Sequence, residues 1–513
     1  MFEKVAVFDT TLRDGEQAAG TRLGRREKLV IARQLAELRV DVIEAGYPNS
    51  SPEDFEAVQT IGREIAGPTI CALSRAVPAD IEACARALAG CPRPRIHTGI
   101  GASDIHIMGK FRDEKYGGDL AGKRATILQM ATDAVRLARS AADDVEFYAE
   151  DAGRAERDFL LQMIAAVVDA GATVINIPDT TGYSMPEQYG ELIGAVCGLV
   201  GKRAVVSVHC HDDLGLAVAN TLAGIRRGAR QVEGTINGVG ERAGNAALEE
   251  VIMALRTRAD YFGIDTGIET RELYKTSRMV SELLGIAAPP NKAVVGSNAF
   301  SHSSGIHVDG VLKQRETYEI MRPEDVGMGE SRVVLTARTG RHGLRDRLAR
   351  LGYELSEAEL DKAYRQFLTV ADKKLEVFDE DLLAIVHDEM HVSGLYQLEY
   401  LHIYSGTAAI PTATVRVRVG EETREGAATG DGPVDALCRA IAQVTGAAAC
   451  LERYEIRAVT RGTEAMGEAT VHLQEGGRRV LGRGASTDVI EASAKAYIDG
   501  LNQLARAARR QTA

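Results

Sequence analysis

The chain has 513 residues, 45% of them hydrophobic and 26% charged, with a formal net charge of −12. That length exceeds one ordinary domain, and the apolar share is enough for a large core. The acidic balance excludes a phosphate-tracking nucleic-acid surface, and no uninterrupted apolar run is long enough to suggest a membrane span.

Seven cysteines (Cys71, Cys84, Cys91, Cys197, Cys210, Cys438 and Cys450) are scattered without a CxxC pair and read as buried thiols of a reducing compartment. No secretory leader pattern is seen, so a cytoplasmic protein is expected.

In chain order, eight short runs rich in Val, Ile or Thr recur: "VAVFDT", "VDVIEAGYP", "TICALS", "RIHTGIG", "DVEFYAED", "TVINIPDT", "AVVSVHCH" and "QVEGTINGVG". Helical stretches separate them, as in "RREKLVIARQLAEL", where Ile31, Leu35 and Leu38 share one face. This alternation predicts an α/β protein built on a parallel (β/α)8 barrel over residues 1–264. A doubly wound open sheet is the alternative, but no glycine-rich dinucleotide fingerprint follows the first strand. Residues 265–388 read as a helical linker or lid, with a capping box at Ser356 and Glu359.

Residues 389–513 contain a repeat. "ATVRVRVGEETREGAATGDGPVDALCRAIAQ" starts at Ala413, and "ATVHLQEGGRRVLGRGASTDVIEASAKAYID" starts 56 residues later at Ala469. Each copy reads as strand, glycine turn, strand and helix, predicting a duplicated α+β domain.

Chemistry concentrates at the strand ends. "VHCHDD" places His209 and His211 two apart on the seventh strand, so both face the same way. In "FDTTLRDGEQ", Arg13 and Asp14 are expected at the end of the first strand, on the same rim. Asp14, His209 and His211 form an N/O donor set for a divalent metal, with Mn2+, Mg2+, Zn2+ or Fe2+ all compatible. Arg13 can then hold a substrate oxygen and stabilise an oxyanion. After the eighth strand, the glycines of "NGVGERAGN" let backbone approach a ligand, and Glu241 and Asn245 can reach the metal or an acyl carrier.

"FDTTLRDGEQ", "HCHDDLG", "NGVGERAGN" and "SGIHVDGVLK" resemble the metal-dependent enzymes that condense an acyl-CoA with an α-ketoacid, whose members make 2-isopropylmalate, homocitrate or citramalate. "SGTAAIPTATV", "GDGPVDA" and "GRGASTDVIEASAKAYI" resemble the regulatory domain of the members that make 2-isopropylmalate. The resemblance covers nearly the whole chain. It implies condensation of acetyl-CoA with 2-ketoisovalerate, the committing step of leucine biosynthesis, by a homodimer or higher homo-oligomer that uses Mn2+, with Mg2+ or Zn2+ as alternatives. Citramalate synthesis, homocitrate synthesis and retro-aldol cleavage on the same barrel are the competing readings.

Carried over by motif, the resemblance implies Asp14, His209, His211 and Asn245 at the metal and Arg13 in catalysis. His97, Glu150 and Thr180 match positions lining the ketoacid pocket, and Glu44 borders it. His307, oriented by Glu150, is the expected base, and Tyr318 joins them in proton transfer. Two departures from the family pattern stand at the same pocket: Tyr148 where serine is common, and Gly99 in "HTGIGAS" where "HTFIATS" is frequent. In the last domain the resemblance implies L-leucine as an inhibitor. Gly430 and Gly432 would leave room for its carboxylate at a helix start, and Asp435 would meet its ammonium group.

Overall fold

All eight apolar runs form strands: β1 Ala6–Asp9, β2 Val42–Glu44, β3 Thr69–Arg75, β4 Pro94–Gly101, β5 Asp144–Glu150, β6 Val174–Asp179, β7 Val205–Cys210 and β8 Gln231–Gly234. Each pairs in parallel with the next. The β1–β8 ladder, with Ala6 opposite Gln231 and Asp9 opposite Gly234, closes the barrel and excludes the open sheet. The strands are short, and both of their faces are covered. Ile43, Ile70, Ile96, Phe147, Ile175, Val208 and Val232 are all buried. Helix α1, Arg25–Glu37, turns Ile31 and Leu35 inward, with Leu38 buried just beyond its end. This computed structural model describes residues 3–509 except 330–331, 334, 336–338, 352, 354, 373–376, 378, 380, 383–384, 386–394, 407, 459–466, 477 and 487.

The first of two compact units runs from Met1 to Val334, past the predicted barrel end at 264. The physical reason is that a later helix, Leu273–Leu284, packs on α1. Gln34 Nε2 donates to Thr276 Oγ1 at 3.1 Å and to Glu272 at 2.9 Å. The same unit carries the helix Gly305–Lys313 and a two-strand pairing of Ser301–His302 with Arg332–Val333.

The second unit, Leu335–Ala513, contains the helices Arg341–Arg350 and Glu357–Ala371. The latter starts with the expected capping box. The Ser356 amide donates to Glu359 Oε2 at 2.8 Å, and Ser356 Oγ accepts the Glu359 amide. The predicted boundary at 388/389 lies outside the described residues.

The repeat folds as two units of three strands and a helix, not two strands and a helix. The first is β9 Tyr396–Gly406, β10 Ala409–Val419, β11 Glu422–Thr429 and the helix Pro433–Thr445. The second is β12 Cys450–Ala458, β13 Gly467–Glu475, β14 Arg478–Ser486 and the helix Val489–Arg509. The extra strand is part of the duplication. Leu398 pairs with Val417 and Leu451 with Leu473, and a bulge follows each pair. The gap-free alignment misses it because the connection between the first two strands is three residues longer in the second copy, so the first strands are offset by 53 residues and not 56. Both copies feed one core, which includes Val415, Val417, Ile441, Val471, Leu473 and Ile498.

The cysteine expectation holds for four positions. Cys71, Cys84, Cys210 and Cys438 are buried, Cys91 and Cys197 are half-buried, and Cys450, on the outer strand β12, is exposed. Among the described residues no helix is long and apolar enough to cross a membrane.

Candidate active site

The first correction concerns Asp14. β1 ends at Asp9, and the chain then turns, with the amides of Arg13, Asp14 and Gly15 all donating to Thr10 O. Asp14 is therefore carried on a helical turn above the strand. That turn delivers its carboxylate to the rim reached by β7.

His209, the last residue but one of β7, turns its side chain inward. His211, two residues on, forms an isolated bridge with Asn245 in the loop after β8. Asp14, His209 and His211 are all buried, and their donor atoms lie within 4.8 Å of one another. The two Nε2 atoms face each other at 3.2 Å, with Asp14 Oδ2 at 3.7 Å from His209 and 3.9 Å from His211.

Burial, opposed in part by Asp14, pushes the His209 pKa down to about 4. Burial and the neighbouring His209 do the same to His211. Both rings are thus neutral nitrogen donors at neutral pH. Burial disfavours the Asp14 charge, but Arg13 and the two imidazoles hold its carboxyl below the ordinary carboxylate value. Asn245 Nδ2 donates to Asp14 Oδ1 at 2.8 Å, while its buried Oδ1 has no hydrogen-bond partner among the described residues. One carboxylate, two neutral imidazoles and a spare amide oxygen fit a divalent cation.

Arg13 bridges two acids. Its Nη1 donates to Asp14 Oδ2 at 2.8 Å and its Nε to Glu44 Oε2 at 2.7 Å. Glu44, wholly buried at the end of β2, also accepts from Thr10 Oγ1 at 2.6 Å and lies 2.8 Å from His97 Nδ1. Burial opposes its charge, yet Arg13 and His97 hold it well below the usual carboxylate range. Arg13 is thereby fixed beside the donor cluster with its remaining N–H groups available.

Tyr148 and Gly99 are partners, not separate departures. They are opposed in the β4–β5 ladder, and a Cβ on Gly99 would lie 2.1 Å from Tyr148 O and 2.4 Å from its Cγ. The tyrosine ring occupies the space a side chain at 99 would need. It packs edge-on to His97 at 4.9 Å, and its hydroxyl donates to Ser74 O at 3.2 Å.

The remaining candidates are more dispersed. Thr180 Oγ1 accepts the Asp151 amide at 2.9 Å. Glu150, at the end of β5, is held by Lys110 Nζ at 2.6 Å, with His106 Nδ1 at 3.5 Å. Burial works against its charge, but His106 and Lys110 bring its pKa down to about 2. Among the described residues no hydrogen bond or ion pair joins Glu150 to His307. His307 instead packs on Tyr318, the ring centroids 4.2 Å apart and the planes tilted by 31°, and both are exposed. Glu241 is exposed beside Arg242 at 3.5 Å and outside the donor cluster.

Sequence reasoning missed Lys110, His106 and Glu233. The first two stand on a short helix, Asp104–Lys110, capped by Ser103. Their only sequence signal was that Ser-Asp start.

In the second unit, Gly432 precedes the helix Pro433–Thr445 without a side-chain cap. Its counterpart Asp488 caps the other copy, accepting the amides of Ile490 at 2.7 Å and Glu491 at 3.4 Å. Asp435 is already engaged by the Asp431 amide at 3.0 Å and by Arg439 at 2.9 Å. A Cβ on Gly430 would lie 2.3 Å from the Ala436 amide nitrogen, whereas one on Gly432 would meet open space.

Three family models match in succession. They are HMGL-like over residues 4–280, homocitrate synthase post-HMGL domain-like over 294–375, and LeuA allosteric (dimerisation) domain over 376–505. The 2-isopropylmalate synthase of Carboxydothermus hydrogenoformans is 55% identical over 509 residues, 98% of each chain. Those of Heliobacterium modesticaldum and Aquifex aeolicus are 53% and 50% identical, over 98% of this chain and 97% and 96% of theirs. A barrel whose rim gathers Asp14, His209, His211 and Arg13, joined to a duplicated C-terminal domain and matched end to end by these relatives, places the chain in the 2-isopropylmalate synthase family.

Proposed function

We propose that this chain condenses acetyl-CoA with 2-ketoisovalerate to give 2-isopropylmalate and CoA, the committing step of leucine biosynthesis. The observation that carries this reading is the convergence of Asp14, His209 and His211 beside Arg13 at one barrel rim.

A divalent cation, Mn2+ first among Mn2+, Mg2+ and Zn2+, would be held by those three ligands with Asn245 near, and would supply Lewis-acid polarisation of the ketoacid carbonyl. Arg13 meets the oxygen on which negative charge develops as the acetyl methyl carbon attacks the ketone carbon. Its anchorage on Glu44 and Asp14 means that little reorganisation is needed at that moment. His97 and Tyr148 wall the acceptor pocket, and Thr180 borders it. Glu241 serves the acyl-CoA side.

His307 takes the methyl proton, with Tyr318 packed on it and Glu150 completing the proton-transfer set. Because no hydrogen bond, ion pair or ring contact joins that pair to the rim residues among the described residues, it acts on a closed state or on the barrel of a second copy. The match to a LeuA allosteric (dimerisation) domain supports the second route. Water then cleaves the thioester and releases the CoA thiol.

Residues 1–264 are the catalytic segment, 265–388 the connecting and lid segment, and 389–513 the regulatory domain. L-Leucine binds there, its carboxylate at the uncapped helix start after Gly432 and Gly430, near Asp435. The asymmetry between Gly432 and Asp488 supports this choice of copy.

Release of thiol from acetyl-CoA, measured across α-ketoacids with and without divalent metals, tests the reading. A higher specificity constant for pyruvate or 2-ketoglutarate would reassign the acceptor. Cleavage without condensation would favour a lyase.

A further inference from the structure

Below the donor cluster the barrel interior is polar where most barrels are aliphatic. Ser207 and His209 alternate along β7, and Gln231 and Glu233 along β8. The ladder sets Ser207 opposite Gln231 and His209 opposite Glu233. Glu233 is wholly buried. Its Oε1 accepts from Ser207 Oγ at 2.7 Å and its Oε2 from Asn176 Nδ2 at 2.7 Å, so β6 and β7 fix the carboxylate from two sides. Gln231 Nε2 extends the network, donating to Ser207 Oγ at 3.0 Å and to Glu146 Oε1 at 2.7 Å.

Glu146 and His97 also place donor atoms within 4.8 Å of a Glu233 oxygen, and His209 approaches the same carboxylate. Oε2 lies 3.4 Å from Nδ1, an atom that is buried and has no hydrogen-bond partner among the described residues. A closure of a few tenths of an ångström makes this a hydrogen bond. The Nδ1 of His211 is also without such a partner, and no carboxylate approaches it within ion-pair distance among the described residues.

We propose that Glu233 is the positioning residue of the metal centre: its carboxylate accepts a hydrogen bond from the Nδ1–H of His209, fixing the tautomer whose Nε2 lone pair faces the ion. The two histidines are then unequal. His209 is oriented from inside the barrel by a carboxylate, while His211 is oriented through its backbone bridge to Asn245. A carboxylate behind a ligating imidazole also raises its basicity, and loss of such a partner costs about 10–100-fold in metal affinity. This inference rests on the metal assignment above.

The test is Mn2+ titration of the metal-free full-length protein, with free Mn2+ read by electron paramagnetic resonance. Glu233→Ala is expected to weaken binding by about 10–100-fold. Glu233→Gln keeps an acceptor without the charge and is expected to fall between that variant and the wild type. Ser207→Ala breaks the same buried network but leaves the carboxylate on His209, so it is expected to stay near wild type. Wild-type affinity in Glu233→Gln, the arm that decides should Glu233→Ala not fold, overturns the proposal. So does an equal loss in Ser207→Ala, which would mark the network as merely structural. Wild-type affinity in His209→Ala would overturn the metal assignment itself, and this proposal with it.

Discussion

The barrel buries many charged side chains beside its apolar core, and the duplicated C-terminal domain buries almost none. The barrel holds Asp9, Asp14, Glu44, Arg95, His97, Glu146, His209, His211 and Glu233 out of water. Around them it arranges partners at hydrogen-bond distance, as with Arg13 between Asp14 and Glu44. The core of the duplicated domain is mostly Ala, Val, Leu and Ile from both copies, and Asp499 is the one buried charged side chain of that domain among the described residues. Buried charge is costly, and a fold retains it where it performs chemistry or positions groups that do. The difference teaches that turnover belongs to the barrel.

That division can be broken by experiment. Asp14→Asn, His209→Ala and His211→Ala are each expected to lose bound divalent metal and bring turnover close to background. Metal content equal to wild type by elemental analysis in all three would remove the barrel's claim to the chemistry. His307→Ala comes next, with kcat expected to fall by about 10²–10⁴, the worth of a positioned general base. A change confined to KM would make His307 a binding group.

Arg13→Lys should retain metal and lose about 10²–10³ in turnover. An ammonium has no planar fork to span Glu44 and Asp14 while facing a developing oxyanion. Unchanged turnover would reduce Arg13 to a structural ion pair.

The smallest effect sharpens the other side of the comparison. Leucine inhibition should be relieved by about 5–150-fold in Gly432→Val, the range of ordinary coupling energies, with metal content and uninhibited kcat preserved. Gly432 suits this test better than Gly430. A side chain at 432 enters open space before the helix, whereas one at 430 collides with the Ala436 backbone and disturbs the helix start. Inhibition that stays at wild-type strength, or that is strictly competitive with the ketoacid, would place leucine elsewhere.

Much of the molecule is determined locally and could be read from the chain. Eight apolar runs spaced by amphipathic helices specify a parallel barrel, because strands buried on both faces must be apolar in continuous stretches. The HxH spacing points two imidazoles the same way because strand side chains alternate, and the 56-residue repeat specifies a duplicated domain. Ser356 and Glu359 cap their helix with nothing beyond four consecutive residues.

What escaped depends on which residues different strands bring opposite one another. Asp14 reaches the rim on a turn, since strand length is set by pairing with neighbours and not by the apolar run. Gly99 and Tyr148 are 49 positions apart and become one feature only in the β4–β5 register. Glu150 finds Lys110 and His106 through a short helix inserted before the next long one. Glu233 looks like any strand carboxylate until the β7–β8 ladder sets it opposite His209. Alternation along a strand tells which face a side chain takes, but only closure of the barrel decides which side chains share that interior, and ligand sets and ion pairs are properties of the shared interior.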